Sequence, residues 1–221
     1  MPLLQDRRDA GRVLAGHLSE YAGAADAIVL ALPRGGVPVG YEIAHALRLP
    51  LDVYIVRKLG VPGHEELAMG ALASDGSFVL DDATLEWANV ARSTLEAVVA
   101  RESHELQRRI SAYRDHRPEP VLEQKTIIVA DDGLATGSSM YAALMALRNH
   151  HPRELVVAVP VAPADTAAWL RTVADRFVCP YVLDHFGAVG SHYGDFSETS
   201  DDEVRDLLAR AYQERQSWSI A

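Results

Sequence analysis

The stretch Thr126-Ile-Ile-Val-Ala-Asp-Asp-Gly-Leu-Ala-Thr-Gly-Ser-Ser139 sets the frame for this chain. Ile127 to Ala130 are apolar and mostly β-branched, the pattern of a buried strand. Two carboxylates follow at once, Asp131 and Asp132, then Gly133, Gly137 and a pair of hydroxyl residues, and a helical pattern opens at Met140. Acidic groups therefore stand at a strand's carboxyl end, and a small-residue loop leads into a helix N-terminus. Such a loop can aim several backbone N–H groups at one phosphate, aided by the helix dipole. The carboxylates repel that phosphate; they suit ribose hydroxyls or a hydrated Mg²⁺. No Gly-Lys-Ser/Thr is present for a Walker A loop, and no GxGxxG follows the strand for a dinucleotide fingerprint.

Two further strand–loop units precede it. Ala27-Ile-Val-Leu-Ala-Leu32 is apolar throughout, as a central parallel strand should be, and ends in Pro33-Arg-Gly-Gly-Val-Pro-Val-Gly40. Tyr41, Ile43, Ala44 and Leu47 continue as a helix. Arg34 beside Gly35 and Gly36 makes an anion site, because the backbone can approach closely and the guanidinium can grip two oxygens. Leu51-Asp-Val-Tyr-Ile-Val56 is the third strand, running into the Gly/Pro loop Arg57-Lys-Leu-Gly-Val-Pro-Gly63. Its two adjacent cations form a second anion-binding feature. Alternation along a strand points neighbours apart, which favours one of them, and Lys58 is the choice over Arg57.

Val129 to Ser139 resembles the phosphoribosyl-pyrophosphate (PRPP) signature of type I phosphoribosyltransferases. The resemblance covers roughly residues 27 to 183. It implies that Asp131 and Asp132 hold the ribose diol, that Ala135, Thr136, Gly137, Ser138 and Ser139 wrap the 5′-phosphate, and that Arg34, Gly35, Gly36, Lys58 and Arg57 face the pyrophosphate, with Mg²⁺ bridging through PRPP and water near the acid pair. Asp131, Asp132, Lys58 and Arg34 are then the catalytic candidates. In the family the loop at Arg34 often carries a cis peptide. The segment after Gly60 takes the place of a lid. Glu65 and Glu66 lie there, either as a base or cation stabiliser or as surface carboxylates at a helix start. Hypoxanthine-guanine enzymes carry an aspartate where this chain has Ala135, as adenine-type enzymes do not. The adenine-type glutamate beyond the lid falls nearest Ala68, so the acceptor, a nucleobase or another nitrogenous molecule, stays open. The other readings are a non-catalytic PRPP- or nucleotide-sensing regulator and a Mg²⁺-dependent hydrolase using the acid pair.

The rest of the chain fits around this core. Residues 6 to 21 read as an amphipathic helix, and 82 to 120 as a helical insert with the stripe Leu95, Val98, Val99, Leu106, Ile110 and Tyr113, suited to packing or a subunit contact. Asp165 reads as the N-cap of a helix to Ala174, and 176 to 183 as a last strand. The segment 184 to 198 takes the place of a hood, where Phe186, Tyr193 and Phe196 either offer a stacking surface to the acceptor ring or close the core edge. An exposed helix from Glu198 to Tyr212 follows. The order implies an α/β fold: a mainly parallel, doubly wound sheet with helices on both faces, in one unit over 1–221.

Composition sets the outer bounds. The 221 residues carry a formal net charge of −10, which disfavours nucleic acid and anionic membranes as partners. The single cysteine, Cys179, excludes an internal disulfide and fits a reducing cytoplasm. No leader or membrane-spanning run is read. A homodimer is the default expectation for such a fold.

Overall fold

The computed structural model describes residues 3–113 and 119–218. Five parallel strands form the main sheet: β1 (Ala27–Ala31), β2 (Leu51–Val53), β6 (Thr126–Ala130), β7 (Glu154–Ala158) and β9 (Arg176–Val178), in the order β2-β1-β6-β7-β9. β1 and β6 are buried at every position, which is why both read as unbroken apolar runs. Alternate residues serve opposite faces. Ile28, Leu30, Ile127 and Val129 pack beneath α5 (Ser138–Arg148) and α6 (Ala164–Leu170), through Leu144, Leu147 and Leu170. Ala27, Val29 and Ile128 pack against α1 (Arg7–His17) and α2 (Gly36–Leu47), through Leu14, Ile43 and Leu47.

The chain leaves β1 toward β2 on one side, and β6 enters on the other. The order reverses between β1 and β6, and the crevice at such a switch point is where open α/β sheets bind ligands. The loops after these two strands are the two motif loops.

Outside this sheet several expectations change. The expected strand from Leu51 to Val56 splits in two. After β2 the chain crosses Tyr54 and Ile55 and enters a separate antiparallel sheet of β3 (Val56–Val61), β4 (His64–Ala73) and β5 (Phe78–Leu80). Arg57 to Val61 are therefore a paired strand rather than a loop, and Glu65 and Glu66 stand in β4 rather than at a helix start. Register shifts around Gly60 let β3 carry that glycine and still pair. The turn at Asp75-Gly76 joins β4 and β5, with Gly76 at φ 81.

The insert forms α3 (Asp82–Trp87) and α4 (Arg92–Tyr113), and its stretch 114–118 lies outside the described residues. The expected stripe packs inward: Val98, Leu106 and Tyr113 are buried against Leu59 and Met69 of the hairpin and Leu207 of the last helix, α7 (Asp201–Trp218). α7 is not the exposed helix expected; Val204, Leu207 and Leu208 are buried in the same cluster. Ser200 caps it, accepting from the Glu203 N–H at 3.1 Å. Val161–Pro163 is a short strand, β8; it pairs with β10 (Tyr181–Leu183). Pro180 thus separates β9 from β10 into two sheets. Pro163, not Asp165, occupies the N-cap of α6.

Candidate active site

The two motif loops close on each other. The Leu32 N–H donates to the Ala130 carbonyl at 2.9 Å, tying the end of β1 to the end of β6. The Pro33–Arg34 peptide is cis. Gly35 is helical in backbone, at φ −58, so its lack of a side chain is needed for space rather than for a special dihedral. A methyl on Gly35 would stand 1.9 Å from Asp132 Oδ2, and one on Gly36 2.7 Å from the Ala130 oxygen and 3.0 Å from Asp131 Cα. Only bare backbone fits between the first loop and the acid pair.

Asp131 and Asp132 are fixed from several directions. The Asp132 N–H donates to Asp131 Oδ1 at 2.9 Å. Arg7, at the start of α1, donates through Nε to Asp132 Oδ2 at 2.8 Å, with the two side chains only 12% and 15% exposed. Burial holds both carboxyls above their ordinary range. The Asp132 charge pushes Asp131 further up, whereas Arg7 draws Asp132 back down. The two acids thus differ in surroundings: Asp132 carries the Arg7 partner, and Asp131 is the more deeply buried.

The hood segment braces this pair. The Tyr193 hydroxyl donates to the Asp132 carbonyl at 2.5 Å. The Phe196 ring lies 4.9 Å from the Tyr193 ring, and the Arg7 guanidinium sits 3.9 Å from its centroid. Arg7 also donates to the Ser197 carbonyl at 2.6 Å. Tyr193 is therefore buried and engaged, and presents no free stacking face. Phe186 is half-buried, 4.9 Å from the His192 ring.

The loop from Ala135 to Ser139 is open outward and seated inward. Ala135, Thr136 and Ser139 are exposed, ahead of and within the first turn of α5. Gly137 holds φ 75, a left-handed backbone that favours glycine, and a methyl there would meet Thr166 Cγ2 at 2.8 Å. The Thr166 hydroxyl donates to the Ala135 carbonyl at 2.9 Å, pinning the loop to α6. Thr136 Oγ1 and Ser138 Oγ lie 3.0 Å apart.

The cations are placed less uniformly. Lys58 and Ser139 line one cavity of about 320 Å³. Arg57 donates from Nε and Nη2 to Glu102 of α4, at 2.8 and 2.6 Å. Arg34 pairs with Glu198, and its Nη1 lies 3.7 Å from Asp201. Tyr113 of α4 donates to that same Asp201 at 2.6 Å. The side chains of Glu65 and Glu66 fall outside the described residues. Among the described residues no three His, Cys, Asp or Glu side chains are grouped to hold a metal ion, and no helix is long and apolar enough to cross a membrane.

Sequence reasoning missed Arg7, Glu102, Glu198 and Asp201. Arg7 reaches Asp132 across 125 residues of chain, and nothing in its own helix marks it. Glu102 had one sign: a carboxylate set within the apolar stripe of α4, where burial demands a partner.

A parallel sheet whose switch point joins a glycine loop, an acid pair and an amide loop defines an α/β protein with its candidate site at the carboxyl ends of the strands. Similarity to known proteins narrows this class to one family. The model of the phosphoribosyl transferase domain matches residues 4–191, and the chain belongs to that family. Two Mycobacterium tuberculosis proteins, provisionally named phosphoribosyl transferases, are each 44% identical over 214 residues. The match takes in 97% of this chain and 48% of theirs, so the chain spans about half the length of the curated relatives it matches. The crystal structure of TT1426 from Thermus thermophilus is 40% identical, with a TM-score of 0.87, covering 94% of this chain and 98% of that one.

Proposed function

We propose that the chain binds PRPP and transfers its phosphoribosyl group to a nitrogenous acceptor with release of pyrophosphate. The observation that carries this reading is the approach of Gly35 to Asp132, which makes one site of two loops. The acid pair touches the glycine turn at Gly35 and Gly36 and leads along the chain to the amides before α5. In this reading the 5′-phosphate meets Ala135 to Ser139, the ribose diol meets Asp131 and Asp132, and the pyrophosphate meets Gly35, Gly36, Arg34 and Lys58. Asp131 and Asp132 would hold Mg²⁺ only together with ligand oxygens and water, since one of the two carboxylates is already tied to Arg7. Bound there it would neutralise charge on the leaving pyrophosphate.

The chemistry then asks little covalent work of the protein. The acceptor nitrogen forms a bond to C1 while the bond from C1 to the pyrophosphate oxygen breaks, its electron pair leaving with pyrophosphate. The acceptor's proton passes to a base. The sugar becomes cation-like, as in glycoside chemistry. Arg34 and Lys58 stabilise the departing charge, and the acid pair fixes the ring. Ala135 leaves out the aspartate that 6-oxopurine enzymes use, which counts against hypoxanthine and guanine as the acceptor and leaves other nitrogenous acceptors open.

One observation favours a second reading, PRPP sensing without transfer. Arg34 and Arg57 are each held on a carboxylate of this chain, which lowers their capacity to activate a leaving group. Pyrophosphate release from PRPP with Mg²⁺, measured across a panel of nucleobases, separates the two. Base-dependent release supports transfer. Tight PRPP binding without release supports sensing, and release of inorganic phosphate sinks both.

A further inference from the structure

The helical insert stands outside the two motif loops. The cavity of about 320 Å³ beside the phosphate loop gives it a role. That cavity is lined by Arg57, Lys58 and Gly60 of β3, by Ser139 at the start of α5, and by Arg101 and Glu102 of α4. Glu102 is 8% exposed, in the buried stripe of its helix, and both of its oxygens are used. One takes Arg57, and the other takes Arg101 Nε at 3.0 Å. Burial works against ionisation of Glu102, but the two guanidiniums outweigh it and hold the carboxyl below its usual range.

One buried carboxylate thus holds two guanidiniums at the rim of a cavity that Lys58 also lines. Among the described lining side chains three cations stand with one anion, inside a chain of net charge −10. The field of the whole molecule works against an anion there, so local side chains must supply the attraction. Arg101 has the most room to turn: its side chain is 69% exposed and Glu102 engages its Nε. The remaining guanidinium donors can meet two phosphate oxygens together.

We infer that α4 completes the phosphate pocket: Arg101 is a further phosphate-binding residue, and Glu102 is the positioning residue that sets Arg101 and Arg57 at its rim. This rests on the PRPP reading above and extends it to the insert. The ligand chemistry is a phosphate oxyanion. It has two sources on one donor molecule, the 5′-phosphate next to Ser139 and the pyrophosphate next to Lys58.

Calorimetric titration with PRPP, ribose 5-phosphate and pyrophosphate, each with Mg²⁺, tests this on the full chain. Arg101→Ala should weaken PRPP about tenfold, the scale of one charge-assisted hydrogen bond. Arg101→Lys should recover part of that loss and Arg101→Glu should deepen it. Arg108→Ala is the control, since Arg108 lies on the same helix, is 57% exposed and pairs with Glu105 away from the cavity. A loss confined to ribose 5-phosphate assigns Arg101 to the 5′-phosphate, and one confined to pyrophosphate assigns it to the leaving group. Equal PRPP affinity in wild type and Arg101→Ala overturns the inference while leaving the PRPP reading intact. A wild type that binds none of the three ligands removes both.

Discussion

Replacing Gly35 by alanine strikes the contact on which the site depends. The added methyl would lie 1.9 Å from Asp132 Oδ2, 2.6 Å from its Cγ and 3.2 Å from Arg7 Nε. Comfortable contact needs about 3.5 Å, so the carboxylate must retreat by roughly 1.5 Å. The 2.8 Å bond between Arg7 and Asp132 does not survive such a shift. Overpacking of this kind costs about 1–3 kcal/mol. A lost hydrogen bond between charged groups costs a further ~1.5 kcal/mol at the low end. About 3 kcal/mol in total, in a chain of this size, lowers the melting temperature by roughly 6–12 °C. Gly16→Ala is the matched control: the position lies in α1 with nothing within 4 Å of the new methyl. That change should be neutral or stabilising by about 0.5–1 kcal/mol, because alanine is the better helix former. Differential scanning calorimetry reads both, and PRPP titration of the folded Gly35→Ala protein should show at least about a tenfold loss. If Gly35→Ala melts with the wild type and binds PRPP equally well, the interlocking of the two loops is not what shapes the site.

Tyr193→Phe removes the 2.5 Å bond to the Asp132 carbonyl and leaves a partly buried acceptor without it, for a loss of about 1 kcal/mol visible as a lower urea midpoint; an unchanged midpoint would refute the bracing role. Asp131→Asn should raise stability at neutral and alkaline pH, even as it damages ligand binding. The sign follows from linkage: a carboxyl whose folded pKa lies above its ordinary value favours folding while protonated, and that advantage is lost as pH rises through the raised pKa. The melting difference between Asp131→Asn and wild type should therefore grow with pH from acid upward, and a difference that is flat across pH contradicts the burial argument. Glu198→Gln releases the ion pair on Arg34, so pyrophosphate should bind several-fold more tightly, on the scale of one partly exposed pair; a weaker or unchanged affinity would show that Glu198 does not compete for that site.

The parallel core was legible because its signals are local. Ile127 to Ala130 and Ala27 to Ala31 are buried on both faces, and such strands cannot be written with polar residues. Part of the loop chemistry was equally local: amides before a helix and acids at a strand end are set by neighbours in sequence, whereas Gly35 and Gly36 are required by the distant Asp132, Asp131 and Ala130. The hairpin of β3 and β4 was harder to see. Arg57 and Lys58 look like a loop's cations, and only the pairing of Val56 to Leu59 with Gly70 to Ala73 makes them a strand. Pro180 read as part of one strand, whereas it divides two that belong to different sheets. The side chains that hold the acid pair were the least visible. Arg7 and Tyr193 lie 125 and 61 residues from Asp132, and no local spacing encodes such contacts. The same holds for Glu198 on Arg34, where an expected helix-start acid turns back onto the glycine loop.

The claim that most needs testing is that Asp131 and Asp132 clasp the diol of a sugar phosphate seated before α5. Calorimetric titration of PRPP with Mg²⁺ into the wild type and into Asp131→Asn/Asp132→Asn addresses it, with circular dichroism to show that both are folded. Saturable one-to-one binding in the wild type, reduced by about a hundredfold or more in the double variant, is the expected result when two charge-assisted hydrogen bonds to the ligand are removed together. Equal affinity in the two proteins, or none in either, would contradict it.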